Sequence, residues 1–149
     1  LDYKEINLRD LCERIFQTTS HLRKSTVEYI CIPDAQEVII KTDIHRLSQV
    51  LINLITNANK FTDKGSITMA YSVDRDKGHV MFCISDTGTG IPQEKHIRLF
   101  ERFEKLDEYT QGAGLGLAIS KQIVSRLGGK IWIDPTYTDG AKFCFTHPI

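Results

Sequence analysis

The chain lacks an excess of either charge: 19 Lys and Arg stand against 19 Asp and Glu in 149 residues. The basic footprint of a nucleic-acid or anionic-membrane binder is therefore absent, and neither partner is expected. No apolar run reaches the length of a membrane span, and the opening residues do not read as a secretory signal. The expectation is a cytoplasmic domain with no direct membrane contact of its own. Cys12, Cys31, Cys83 and Cys144 include no C-x-x-C pair, and the five histidines show no ligand spacing. A metal site built on them is not expected; reduced, half-buried thiols fit better. There is no internal repeat and no low-complexity segment. The length suits one domain, residues 1–149, with a single core. A start on Leu1 that runs straight into structured-looking sequence reads as a domain cut from something longer.

What is present centres on Leu47 to Phe61, LSQVLINLITNANKF. Leu47, Val50, Leu51, Leu54 and Ala58 recur at helical spacing, so one face belongs to a core. Asn53, Asn57 and Lys60 share a second face beside it. Two carboxamides and an ammonium in a row can cradle phosphates and a divalent cation. An amide oxygen is a hard, neutral ligand that suits magnesium. The same pattern fits an ordinary surface helix with a polar side, and this stretch alone leaves both readings open.

The rest of the chain divides readily. LDYKEI reads as a short edge or linker strand over residues 1–6, and Asn7 as the cap of a helix carrying Leu8, Leu11, Cys12 and Ile15. TVEYICIP and EVIIKTD read as strands joined through Pro33-Asp34, and Asp43 caps the central helix. SITMAYSVD and HVMFCISD form a hairpin about DRDKG. Pro92 opens a short helix, PQEKHIRLFERF. Lys105 to Gly112 is polar and patternless. Leu115 to Leu127 is helical and stops at Gly128-Gly129. KIWID and KFCFTHPI close the chain as strands. This order predicts an α+β two-layer sandwich, one mixed sheet covered on one face by three helices.

Two glycine clusters remain. In DTGTGIP, Gly88 and Gly90 permit close backbone approach, and Asp86 stands over the turn as an acceptor suited to an exocyclic amine such as that of adenine. The alternative is a bulged turn after an edge strand, capped by the aspartate. In GAGLGL, Gly112 to Leu117, the amides of a helix start attract phosphate. A dinucleotide fingerprint is excluded there, because the preceding EKLDEYTQ is not a buried strand. A long exposed loop carrying those glycines reads as a lid, about residues 93–114.

Taken together, Asn53 and Asn57, DTGTG, FERF and GAGLGL resemble the N, first-glycine, F and second-glycine boxes of sensor histidine kinases. The resemblance covers Asp43 to Phe145. It implies the Bergerat-type ATP-binding fold shared with gyrase, Hsp90 and MutL. It also implies a chain that binds Mg-ATP and passes the γ-phosphoryl group to a histidine in bacterial two-component signalling. On that resemblance Asn57 holds magnesium, Asn53 supports the phosphate and metal shell, and Lys60 pairs with phosphate oxygens. Phe61 packs on the nucleotide, Asp86 reads the adenine amine, and Ile91 and Leu117 line the base pocket. Gly88 and Gly90 admit the base. Gly112, Gly114, Leu115 and Gly116 close the lid over the phosphates, anchored by Phe100 and Phe103, and Lys105 meets the γ-phosphate. Lys105 stands where Arg is common, so the bidentate fork is lost.

The acceptor motif of that family, His followed by Glu and then Arg-Thr-Pro, is missing from the chain. The implied partner is a dimerisation and phosphoacceptor helical domain of the same parent, itself a candidate inner-membrane sensor. A response-regulator receiver domain would follow downstream. Members of the superfamily that hydrolyse ATP carry Glu at the position of Asn53, and an amide cannot take a proton from water. Hydrolysis, serine or threonine phosphorylation, and a degenerate nucleotide-sensing module are the alternatives.

Overall fold

The computed structural model describes residues 1–101 and 108–149, and for residues 108–115 the backbone alone. In chain order the elements are β1 (Tyr3–Asn7), α1 (Leu8–Thr18), β2 (Val27–Ile32), β3 (Ile39–Asp43) and α2 (Ile44–Phe61). Then come β4 (Gly65–Asp74), β5 (His79–Asp86), α3 (Glu108–Arg126), β6 (Ile131–Ile133) and β7 (Lys142–Pro148).

The main sheet has five strands in the order β2-β4-β5-β7-β6. Among the described residues only β2 and β4 run parallel; the other pairs are antiparallel, so the sheet is mixed. Period-two alternation decides which face is covered. On β4, Ile67, Met69 and Tyr71 are buried, whereas Thr68 and Ala70 are half-buried and Ser72 is exposed. Phe82 and Phe145 stack on the covered face with centroids 4.8 Å apart. The buried stripe of α2 lies on this layer, and α2 also contacts α1 and α3. Asn7 caps α1 through Oδ1, which accepts from the N–H groups of Arg9 and Asp10. Asp43 caps α2 through the Arg46 N–H at 2.9 Å. At the other end of α2, the Lys24 ammonium donates to the Asn59 and Thr62 carbonyls at 2.9 and 3.0 Å, closing off orphan acceptors.

Four expectations change. First, β1 and β3 form their own two-stranded antiparallel sheet rather than extending the main one. Second, β2 and β3, joined through Pro33-Asp34, do not pair but lie in different sheets. Pro33 lacks an N–H, and the Asp34 carboxylate takes the Val73 N–H at 2.9 Å where another residue of β2 would otherwise pair. That bond ends β2 at Ile32, and the chain leaves the sheet edge. His147 then ties the two sheets, its Nε2 meeting the Thr42 hydroxyl at 2.8 Å. Third, the short helix after Pro92 is a 3-10 turn over Gln93–Arg98, with Leu99 buried behind it. Fourth, three of the four cysteines are buried rather than half-buried, and only Cys31 is exposed.

The glycine-rich second cluster also sits differently. Helix α3 starts at Glu108, so Gly112, Gly114 and Gly116 lie inside its span rather than at its entry. Once Leu117, Val124 and Leu127 fix the packed end, each added residue gains one backbone bond for one residue ordered. Glycine lowers that gain by about 1 kcal/mol per residue relative to alanine. At the far end the Gly128 and Gly129 N–H groups return to the Ser125 and Val124 carbonyls, with Gly128 at φ +94, and the helix stops as its sequence requires.

Candidate nucleotide site

The site is assembled where α2, the end of β5 and the start of β7 meet. β5 delivers Asp86 at its last position, where it is 4% exposed. Its Oδ1 accepts from the Gly88 N–H at 2.9 Å and the Ala141 N–H at 3.2 Å. Its own carbonyl accepts the Tyr137 hydroxyl at 2.8 Å. Burial pushes the Asp86 carboxyl above its ordinary range, against the two N–H bonds that favour the charged form. One carboxylate oxygen is thus committed to the frame, and Oδ2 has no bond within the protein among the described residues.

Close backbone approach explains the glycines of this frame. A Cβ on Gly88 would stand 2.2 Å from the Phe61 carbonyl, so the turn after β5 presses against the end of α2. The Thr89 N–H donates to that same carbonyl at 3.2 Å. Gly90 adopts φ +72. A Cβ on Gly140 would stand 2.2 Å from the Asp86 carbonyl and 2.6 Å from its Oδ1. Gly140, Ala141 and Tyr137 are site residues that the sequence reading missed. They lie more than 50 residues beyond Asp86 in the chain, and only the β5–β7 register brings them there.

On α2, the three polar residues of one face diverge in their environments. Asn57 is 6% exposed, and its carboxamide makes no hydrogen bond among the described residues. The buried side-chain atoms left without a partner among them are Asn59 Oδ1 and Thr62 Oγ1, at the end of the same helix. Asn53 is turned toward α3: its Nδ2 donates to the Ser120 hydroxyl at 3.2 Å and the Gly116 carbonyl at 3.4 Å. Lys60 is exposed, with Nζ 5.5 Å from the Phe61 ring centroid, and Phe61 is half-buried.

Apolar walls are present as expected. Ile91 is half-buried and its carbonyl meets the His96 ring at 3.0 Å. Leu117 is fully buried. Phe100 meets Phe143 edge-on at 6.0 Å, which anchors the segment after the 3-10 turn to β7. Phe103 and Lys105 lie outside the described residues, as do the side-chain surroundings of Gly112, Gly114 and Leu115. A Cβ on Gly116 would meet nothing within 4 Å, so packing does not demand glycine there.

The donor set fits magnesium only as part of a nucleotide complex. Among the described residues no three His, Cys, Asp or Glu side chains converge on a cation site. Asn57 offers one hard amide oxygen, and magnesium takes its remaining ligands readily from phosphates and water.

Residues 42–149 match the family described as "Histidine kinase-, DNA gyrase B-, and HSP90-like ATPase". The chain is similar to the adaptive-response sensory kinase SasA of Nostoc sp., with 39% identity over 112 residues, covering 74% of this chain and 28% of that protein. Its fold is similar to full-length ShkA in complex with AMPPNP, at a TM-score of 0.88 and 31% identity, covering 99% of this chain and 31% of that one. It is also similar to the nucleotide-free catalytic domain of the histidine kinase ThkA, at a TM-score of 0.85 and 30% identity, covering 99% and 98% of the two chains. The chain therefore spans under a third of the length of SasA and of ShkA.

Proposed function

Because the chain belongs to the histidine kinase-, gyrase B- and Hsp90-like ATPase family, we propose that it binds Mg-ATP and serves as the catalytic half of a sensor histidine kinase. The phosphoryl acceptor is a histidine on a separate helical dimerisation domain of the parent, and a response-regulator receiver domain takes the group onward. The observation that carries this reading is the Asp86 carboxylate at the end of β5: the Gly88 and Ala141 N–H groups hold its Oδ1, and Oδ2 makes no bond among the described residues.

In this reading Asp86 Oδ2 accepts the adenine amine, while Gly88 and Ala141 hold Oδ1 in place. Ile91, Leu117 and Phe61 exclude water from the base. Asn57 presents its amide oxygen to magnesium, and Lys60 meets phosphate oxygens. Asn53 acts on the same region through α3, holding Gly116 and Ser120 beside the phosphates. Asn57 would hold magnesium together with the nucleotide, and the cation would offset the charge that develops in transfer. The protein supplies position and charge, which is most of what phosphoryl transfer needs. The lid, about residues 93–114, closes with Lys105, Gly112 and Gly114 over the γ-phosphate. These lid roles rest on the resemblance alone.

Hydrolysis is the weaker reading. Position 53 is an amide whose nitrogen is spent on α3, so it offers water no base. The test of the magnesium assignment is calorimetry on Asn57→Ala with ATP and with adenosine. ATP affinity should fall and adenosine affinity hold. Equal weakening of both would remove Asn57 from the metal.

A further inference from the structure

The four cysteines are far apart in sequence, yet they come together in two pairs: Cys12 interacts with Cys31, and Cys83 meets Cys144. Cys83 of β5 lies directly across from Cys144 of β7, and their sulfurs stand 3.0 Å apart. The pairing class follows from the ladder. The Asp86 N–H donates to the Ala141 carbonyl and the Ile149 N–H to the Gly78 carbonyl. Even positions on β5 are therefore the hydrogen-bonded ones, and Cys83 with Cys144 is a non-hydrogen-bonded pair. Such pairs bring their Cα atoms to about 4.5 Å. A disulfide needs roughly 4.4–6.8 Å, so the backbone already satisfies it. The sulfurs need to close by about 1 Å to reach the S–S bond length of about 2.05 Å.

The pair sits on the sheet face turned away from the helices, in a row that runs Ile32, Ala70, Cys83, Cys144, Trp132 across the strands. Access is narrow: Cys83 is 8% exposed and Cys144 is 3% exposed. A small oxidant fits such an opening and a bulky disulfide does not. We propose that Cys83 and Cys144 form a peroxide-reactive dithiol that closes to a disulfide between β5 and β7.

The roles within the pair follow from its surroundings. With Cys83 ionised, the Cys144 S–H donates to it, and the Lys142 ammonium adds to the effect, so the Cys83 thiol is held below its ordinary range. Cys144 is pushed up by the same contact and by burial. Cys83 is then the attacking thiolate. Its sulfur takes one oxygen of hydrogen peroxide; the O–O bond breaks and the second oxygen leaves as hydroxide, which is protonated to water. Cys144 loses its proton and attacks the sulfenic sulfur; the S–O bond breaks and a second water leaves. Two thiols lose two electrons in total and the peroxide gains them.

The same two strands run on to Asp86 and Ala141, which places the bond in the frame that holds the nucleotide site. The function proposed above is not needed for it to form.

The test uses the 149-residue chain, hydrogen peroxide and peptide mapping by mass spectrometry. The titratable thiols should fall from four to two, with one peptide pair joined through Cys83 and Cys144. Emission from Trp132, the chain's one tryptophan and the register partner of Cys144, should drop and recover on adding dithiothreitol. Cys144→Ser should trap a dimedone-reactive sulfenic acid on Cys83. The double variant Cys12→Ser, Cys31→Ser should leave the cross-link intact. Should Cys144→Ser fail to fold, the map of the unmodified chain decides alone. Four thiols persisting, a cross-link only between Cys12 and Cys31, or sulfinic acid at Cys83 without a cross-link would each overturn the proposal. A glutathione adduct on Cys83 would overturn its assignment to peroxide.

Discussion

Replacing Asp86 with Asn separates the frame of the site from its function. In the native protein Oδ1 accepts from Gly88 and Ala141, and an asparagine oxygen can accept both bonds unchanged. The free atom changes character. Where Oδ2 accepts, Asn presents an amide N–H, which opposes the adenine amine donor to donor. A hydrogen bond to a charged group is worth about 1.5–3 kcal/mol. At about 1.4 kcal/mol per tenfold, ADP affinity should fall by roughly 10- to 140-fold. Stability should move the other way. Burial raises the Asp86 pKa above its unfolded value, so the folded state binds its proton more tightly. The stabilising share of that shift is present at low pH and is lost as pH rises through the folded value. At neutral pH the carboxylate therefore costs stability, and Asp86→Asn should melt no lower than the native chain. Calorimetry with ADP and thermal melting at neutral pH give both numbers. Affinity within about threefold of native, with an unchanged melt, would mean that Asp86 merely caps a turn.

Gly140→Ala places a Cβ against the Asp86 carbonyl and Oδ1. Overpacking of this kind costs about 1–3 kcal/mol, so thermal melting should show the loss and calorimetry should show weaker ADP binding with it. His147 tests the junction of the two sheets. Burial lowers its pKa, and its Nε2 is held by the Thr42 hydroxyl. The unfolded chain binds the extra proton first, so this contribution is intact above the unfolded value of about 6.5 and is lost as pH falls through the folded value. Urea unfolding between about pH 7.5 and about pH 5.5 should show a decline that His147→Gln flattens; an identical slope in the variant would move the titration elsewhere.

Much of this was legible because it is local. The apolar stripe of α2, the caps at Asn7 and Asp43, the β4–β5 hairpin and the stop at Gly128 depend on neighbours within one or two turns of chain. Pairings between distant segments were not. Nothing near Val27–Ile32 announces a parallel partner at Gly65–Ala70, and nothing near Asp86 announces Tyr137 or Gly140. The Asp34 side chain that ends β2 reads as a turn residue, and its bond to Val73 spans 39 residues. The cysteines looked scattered because their meeting is a matter of register. Helical spacing singled out Asn57 and the strand end singled out Asp86, the family resemblance gave both their roles, and the geometry added the groups that hold Asp86.

Radiolabelled ATP distinguishes phosphoryl transfer from hydrolysis. The chain should be incubated alone, with the parent's histidine-bearing helical domain, and with that domain after its acceptor His is replaced by Gln. Alone, the chain should neither label itself nor release phosphate quickly, since Asn53 is an amide held by α3 and general-base help of about 10²–10⁴-fold is missing. Acid-labile label should appear on the helical domain and vanish with its histidine. Fast phosphate release by the chain alone, or no label on the helical domain while ATP binding is intact, would rule out a transferase.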